Sequence, residues 1–112
     1  MQLLTKAQTT KLLANGAKRY DDANPKPVVK LFTPWGSATW LITELDPEDP
    51  TIAFGLCDLG FGEPELGSVD LTELMALQGP WGLRVERDRH FEPTKTIGEY
   101  ADEARGLGRI AA

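Results

Sequence analysis

Carboxylates and one histidine are the residues of this chain that could support catalysis or metal binding. Asp58 ends a predicted strand, and Glu65 lies in the loop after it. Asp88 and His90 share one face of a later predicted strand, because side chains two residues apart point the same way. If that strand pairs near residues 51–59, the four side chains converge and could hold Mg²⁺, Mn²⁺ or Ca²⁺, or act as a general acid–base pair. This interpretation predicts a metal-dependent hydrolase or ligand-binding protein with a divalent metal as cofactor.

The same region also has a structural interpretation. Acidic and basic residues mix from Arg84 to Arg89, as in solvated strands with cross-strand ion pairs. Cys57 would need His90 as a base to act as a nucleophile, and the adjacent Asp58 would raise the pKa of the thiol. The loop at residues 60–67 has glycines but also two glutamates and no lysine, so it does not suit a phosphate. On this interpretation the chain has no catalytic residues and no cofactor.

Charge is distributed unevenly along the chain. The formal net charge is -5, yet residues 31–83 contain nine acidic residues and no lysine or arginine. Binding to nucleic acid by phosphate neutralisation needs a basic stripe, so we expect no direct sequence-specific contact with nucleic acid. One interpretation of the acidic segment is a face that binds a basic protein. The alternative is a solvated surface with no partner.

Two tryptophans, Trp35 and Trp81, lie beside glycine and proline in predicted turns. An exposed indole is a common anchor at protein interfaces, although these rings could also cap the ends of a small core. The predicted partner-binding residues are these two tryptophans together with Glu44, Asp46, Glu48, Asp49, Glu63 and Glu65.

Local patterns predict the order helix, three strands, short helix, strand, helix. Capping patterns at Thr5 and Asp70 mark the starts of the first two helices, and apolar residues at helical spacing mark the third. Alternating or β-branched residues mark the strands. The predicted helices begin near Thr5, Asp70 and Thr96, and the predicted strands span Val28–Phe32, Ser37–Leu45, Thr51–Leu59 and Leu83–Phe91.

Short turns between consecutive strands favour an antiparallel meander of about four strands. We therefore predict an α+β fold in which an N-terminal helix, a short middle helix and a C-terminal helix pack against this sheet. A chain of 112 residues suits one domain, predicted at residues 1–105, followed by a flexible tail at residues 106–112. The single cysteine and the absence of a signal-like or membrane-spanning apolar run lead us to expect a cytoplasmic protein without a membrane partner.

Four segments resemble a known bacterial family. They are ATWL (38–41), FGLCDLG (54–60), GEPELG (62–67) and ERDRHF (86–91), in this order and spacing. The family consists of short single-domain proteins of unknown function that are carried largely on plasmids, integrative elements and phage-like islands. The likeness runs from Leu3 to Tyr100. The resemblance implies that the gene lies near genes for conjugation, antirestriction and DNA methylation. It indicates no reaction and no catalytic residues for this chain.

The hypothesis that joins these observations is a non-enzymatic cytoplasmic interaction protein of a mobile genetic element. Its acidic face would bind a basic protein, such as a host defence enzyme or a DNA-modifying enzyme. The alternative is the metal-dependent hydrolase or ligand-binding protein built on Asp58, Glu65, Asp88 and His90.

Overall fold

The computed structural model of the chain describes residues 3–21 and 23–112. Its helices are α1 (Lys6–Ala17), α2 (Leu71–Ala76) and α3 (Ile97–Leu107), and a short 3₁₀ turn spans Pro80–Gly82. Its strands are β1 (Val29–Phe32), β2 (Thr39–Leu45), β3 (Ile52–Asp58), β4 (Glu65–Asp70) and β5 (Glu86–Arg87). Within the described ranges, no helix is long and apolar enough to cross a membrane.

The strands form one antiparallel sheet in the order β4-β3-β2-β1-β5. This confirms the predicted α+β class with N-terminal, middle and C-terminal helices, and it corrects the number of strands from about four to five. The missed strand, β4, begins inside the predicted loop at residues 60–67. Its glycine, serine and carboxylates resemble turn chemistry, but six residues of β4 pair with β3, from Glu65 opposite Cys57 to Asp70 opposite Ile52.

The last strand is much shorter than predicted. Only Glu86 and Arg87 pair with β1, whereas the sequence predicted a strand over residues 83–91. The carboxylate of Asp88 explains the early end, because it accepts the His90 backbone N–H at 2.9 Å and folds the chain into a turn. The backbone N–H of Phe91 then donates to the Asp88 carbonyl at 3.4 Å, which carries the chain away from the sheet.

Helices α1 and α2 cover one face of the sheet, which we call the first face. The predicted capping box starts α1: the Thr5 hydroxyl accepts the Gln8 backbone N–H at 3.1 Å, and the Gln8 side chain accepts the Thr5 N–H at 2.9 Å. Strand side chains that alternate toward these helices form the larger part of the core, which is composed of Leu3, Leu12, Val29, Leu31, Trp40, Ile42, Leu45, Ala53, Leu71, Leu74 and Val85.

Helix α3 covers part of the opposite face, which we call the second face. It packs Ile97, Tyr100, Ala101 and Ala104 against Leu41 and Leu56, and Ile110 completes this smaller cluster. A helix of this length covers only about half of the face. Ile52 and Phe54 point to the same side as Leu56 because they lie four and two residues before it, and they remain only half-buried.

The residues after α3 are packed against the sheet. Gly108 adopts a left-handed conformation with φ 75° and turns the chain back. Ile110 is then 8% exposed, and the side chain of Lys30 donates to the backbone carbonyl of Ala112. The predicted tail at residues 106–112 therefore makes specific contacts with the strands.

Close approach between α1 and β2 gives a test of this packing. A Cβ at Gly16 would lie 1.9 Å from the Leu45 carbonyl oxygen, whereas a Cβ at Gly106, in α3, meets nothing within 4 Å. We expect Gly16→Ala to lower the free energy of unfolding by about 1–3 kcal/mol through overpacking. We expect the matched variant Gly106→Ala to raise it by about 0.5–1 kcal/mol through helix propensity. Urea denaturation measures both, and equal stabilisation by the two variants would contradict the placement of α1.

Candidate functional site

Asp58, a predicted metal ligand, holds the backbone together at the end of β3. Its side chain is only 2% exposed. One carboxylate oxygen, Oδ1, accepts the Gly60 N–H at 2.9 Å, and the other, Oδ2, accepts the Ile110 N–H at 3.0 Å. Both oxygens thus bind backbone donors, one in the β3–β4 turn and one in the C-terminal segment, and Asp58 joins these two segments to the sheet.

The four residues predicted to bind a metal do not converge. The last strand pairs with β1 rather than near residues 51–59, so Asp88 and His90 follow one edge strand while Glu65 lies on the other. Four strand spacings separate these edges, or roughly 19 Å at about 4.8 Å each. Across residues 3–21 and 23–112, no three His, Cys, Asp or Glu side chains are grouped so that they could hold a metal ion. The convergence expected from the sequence is therefore wrong, because the strand order differs from the one it assumed.

Asp88 and His90 instead form part of the edge next to β1. The carboxylate of Asp88 lies 3.5 Å from the ammonium group of Lys30 and also accepts the His90 backbone N–H. The imidazole of His90 is exposed. The ion pair across the strands agrees with the structural interpretation of this segment, whereas the turn after it stands where the sequence predicted a continuing strand.

Cys57 is a poor candidate for a nucleophile. Its side chain packs against the core of the first face, and burial raises the pKa of its thiol. The Sγ lies 3.9 Å from the Gly67 carbonyl oxygen, so the thiol has a weak acceptor on β4. His90 follows the far edge strand and cannot serve as its base. The thiol therefore remains protonated at neutral pH.

The acidic residues between 31 and 83 lie at two opposite ends of the sheet. The β2–β3 loop and the β3–β4 turn are separated by the length of β3, roughly 20 Å for seven residues. One end, which we call the acidic end, carries Glu44, Asp46, Glu48, Asp49, Asp70 and Glu73. The other end, which we call the turn end, carries Glu63 and Glu65 together with Trp35 and Trp81. The single acidic face expected from the sequence is thus divided in two.

The two tryptophans of the turn end have different environments. Trp35 is half-buried against the core, and its ring would lie 2.2 Å from a Cβ at Gly79, so the 77–82 loop rests on it. Trp81 is 96% exposed and has a left-handed φ of 56°. Trp35 therefore caps the core, whereas Trp81 projects into solvent.

Hydrogen bonds orient the carboxylates of the acidic end. Asp46 accepts the Glu48 N–H at 2.9 Å, and Asp49 accepts both the N–H and the hydroxyl of Thr51, at 3.2 and 2.6 Å. Asp70 caps α2 by accepting the hydroxyl and the N–H of Thr72, and these bonds lower the pKa of its carboxyl. The loop carboxylates are thus held in place by the backbone and project toward solvent.

A groove of about 370 Å³ adjoins the acidic end on the uncovered half of the second face. Its walls include Tyr20, Glu44, Asp46, Phe54 and Ser68. Burial raises the pKa of the Glu44 carboxyl, and the other influences on it are Arg19, which opposes the rise, and Asp46, which adds to it. The groove therefore combines aromatic surface with a carboxylate that is poorly solvated.

Few cations balance this negative charge. The ion pairs closer than 4 Å in the described part of the chain join Lys30 to Asp88, Lys95 to Glu103 and Arg105 to Asp102, and none of them includes a residue of the acidic end. Arg19 is close enough to influence Glu44, but its guanidinium lies over the Tyr20 ring, 5.1 Å from the centroid. The acidic end therefore carries uncompensated charge beside an aromatic wall.

Sequence reasoning missed Arg19, Tyr20, Phe54 and Asp70 as parts of this region. Asp70 was recognised only as a helix cap, and Phe54 only as one side of an alternating strand. A large aromatic residue in the otherwise polar segment 18–27 was a signal for Tyr20, which is 89% exposed. Its position over the second face depends on how the loop crosses the sheet, which local patterns do not reveal.

The structural role of Asp58 can be tested against the other residues predicted to bind a metal. We expect Asp58→Ala to lower the free energy of unfolding by about 2–4 kcal/mol, because two backbone N–H groups lose a charged acceptor. Glu65→Ala and His90→Ala remove exposed side chains and should change it by no more than about 0.5 kcal/mol. Urea denaturation measures all three, and similar effects of the three substitutions would contradict a structural role of Asp58.

No curated protein and no solved structure matches the chain. A family model described as "Protein of unknown function (DUF2958)" matches residues 3–111. The match covers almost the whole sequence and confirms the predicted resemblance to a family of unknown function. The chain belongs to the DUF2958 family.

Proposed function

We propose that this protein is a non-enzymatic binding module whose acidic end docks a basic segment of a partner protein. The observation that supports this function is the uncompensated charge of Glu44, Asp46, Glu48 and Asp49 beside the aromatic groove. Burial already opposes ionisation of Glu44, so a cation that enters the groove would be favoured by this carboxylate. Tyr20 and Phe54 offer ring surfaces for the same cation or for its aliphatic stem.

A reaction centre has less support. The carboxylates and the histidine that suggested one lie along opposite edges of the sheet, and Asp58 is fully engaged with backbone donors. General acid–base catalysis needs its two groups within reach of one substrate. Binding needs no such convergence, and oriented surface carboxylates satisfy its requirements.

The chemistry of the acidic end indicates the class of partner. Proteins that bind DNA expose lysine and arginine in order to neutralise phosphates, and a negatively charged surface complements such a groove. A host defence enzyme or a DNA-modifying enzyme is therefore the partner that we propose. A role for the protein in a mobile genetic element, in the cytoplasm, fits this class of partner and belongs to the same proposal.

Charge reversal at the β2–β3 loop tests the acidic end. As the probe we would use a synthetic dodecapeptide in which lysine alternates with threonine. We expect Glu48→Lys combined with Asp49→Lys to weaken its binding about tenfold, because two favourable exposed charge contacts become repulsive. Binding to the unaltered protein should also weaken as NaCl rises from about 0.05 to 0.5 M. Titration followed by fluorescence anisotropy of the labelled peptide measures both effects.

A matched control separates local charge from net charge. Glu92→Lys combined with Asp102→Lys makes the same change in net charge at exposed positions and should leave the affinity within about twofold, since neither residue lines the groove or belongs to β4. A peptide in which glutamate replaces lysine should not bind. Equal loss of affinity in the two double variants, or binding that does not depend on salt, would contradict docking at the acidic end.

Removal of Arg19 should change the affinity for the basic peptide in the opposite direction. Its guanidinium opposes the rise in the pKa of Glu44 and therefore competes with any cation of the partner. We expect Arg19→Ala to tighten binding of the lysine–threonine peptide by about threefold. Lys6→Ala removes an equal charge from the exposed start of α1 and should have a smaller effect. Weaker binding by Arg19→Ala would show that the groove does not receive a cation.

A further inference from the structure

The outer edge of β4 is open, and the backbone hydrogen bonds around it show which of its groups face outward. The Leu71 N–H donates to the Thr51 carbonyl at 2.8 Å, and the Asp46 N–H donates to the Ile52 carbonyl at 2.9 Å. In an antiparallel pair, alternate residues bond to the same neighbour. Ala53 therefore bonds toward β4, and its partner Val69 bonds toward β3. It follows that the N–H and C=O groups of Leu66 and Ser68 point away from the sheet.

Nothing in the described part of the chain covers this edge with another strand, because β3 is the only neighbour of β4 in the sheet order. Leu66 is 38% exposed, and Ser68 is also exposed. Two backbone N–H groups and two carbonyl groups are thus presented to solvent along an extended segment. Such a row is a template for the addition of another strand.

We propose that β4 is the docking edge for an extended basic segment of the partner protein, which adds to the sheet as a further strand. This inference rests on the proposed function and specifies how the partner binds. The added strand would accept and donate hydrogen bonds at Leu66 and Ser68. Main-chain bonds supply affinity in this mode of recognition, and alternate side chains supply specificity.

Charge on the edge argues for a basic strand and against a second copy of this chain. The carboxylates of Glu65 and Asp70 lie at the two ends of β4. If two copies paired antiparallel about the centre of β4, Glu65 of one copy would lie one residue away from the position opposite Asp70 of the other, so the second copy would bring carboxylates and no cation to both ends of the edge. Carboxylates that approach one another without a cation repel, whereas lysine or arginine of a basic strand would be attracted to both ends of the edge.

The second face offers a place for a long side chain of the added strand. Leu66, Ser68 and Asp70 point to this face because they lie opposite Leu56, Phe54 and Ile52. The small side chain of Ser68 leaves room for a lysine or arginine that extends over it to the half-buried ring of Phe54. Asp70 lies next on the same face, so a second basic residue of the added strand would meet its carboxylate.

Proline at Ser68 gives a direct test. Ser68→Pro removes an outward N–H and places a ring in the path of an added strand, while the ladder with β3 uses Glu65, Gly67 and Val69 and remains intact. Proline is tolerated at such edge positions, and the preceding Gly67 is already extended. We expect Ser68→Pro to weaken binding of the lysine–threonine dodecapeptide by about tenfold, because one hydrogen bond is lost and the ring obstructs the added strand. Ser68→Ala should leave the affinity within about twofold.

Hydrogen exchange of individual amides, followed by NMR, shows whether the peptide adds as a strand. We expect the peptide to protect the Leu66 and Ser68 amides of the unaltered protein, while those of Gly67 and Val69 are protected without it. A peptide that carries N-methyl groups on alternate backbone nitrogens tests the same contact without altering the protein, and it should bind at least about tenfold more weakly.

The possible outcomes separate the two proposals. One outcome is that the peptide binds in a salt-dependent way, that Ser68→Pro and N-methylation have no effect, and that Leu66 gains no protection. This outcome would overturn strand addition but would still support docking at the acidic end. Failure of the basic peptide to bind at all would overturn both proposals. Protection of Leu66 and Ser68 that rises with protein concentration in the absence of peptide would assign the edge to a second copy and would overturn a basic segment as its occupant.

Discussion

The antiparallel connection of β2, β3 and β4 decides where the charged residues of this chain can act. Each hairpin reverses the chain, so consecutive turns lie at opposite ends of the sheet, here roughly 20 Å apart. Charges separated by more than about 8 Å are largely screened from each other at physiological salt. A stretch that is uniformly acidic in sequence therefore becomes two separate surfaces. One has oriented carboxylates beside a groove, and the other has two glutamates near exposed apolar turns.

Elements that are determined by local sequence were predictable. The capping box at Thr5 begins α1 as expected, since it satisfies backbone donors within a few residues. Helical spacing predicted α3, and its start at Thr96 is a second capping box. The alternation from Thr51 to Leu59 also predicted β3. Elements that depend on a distant partner were not predictable in the same way. Strand β4 is poor in β-forming residues and forms because it pairs with β3. Strand β5 ends early because the Asp88 carboxylate accepts the His90 N–H and folds the chain into a turn.

The candidate site illustrates the same limit. The sequence singles out Asp58, Asp88 and His90 by the chemistry of their side chains, but their convergence required the last strand to lie beside β3. Because β5 pairs with β1, Asp88 and His90 lie at a distance from Asp58. Strand order arises from which edges remain free after the hairpins form, and no short pattern in the chain encodes it. The groove beside Tyr20 was missed for a related reason, because its walls come from a loop and three strands that are far apart in sequence.

Two features of β4 combine into one mode of recognition. Backbone groups of an edge strand bind any extended chain, so they give affinity with little preference for sequence. Carboxylates at the two ends of that edge give preference for a basic chain, because desolvating a carboxylate without a cation is unfavourable. A second copy of the same edge would bring carboxylates and no cation to Glu65 and Asp70, and this disfavours the pairing of two identical edges. The same pair of charges would thus discourage self-association and favour the basic partner that we propose for the open edge of β4.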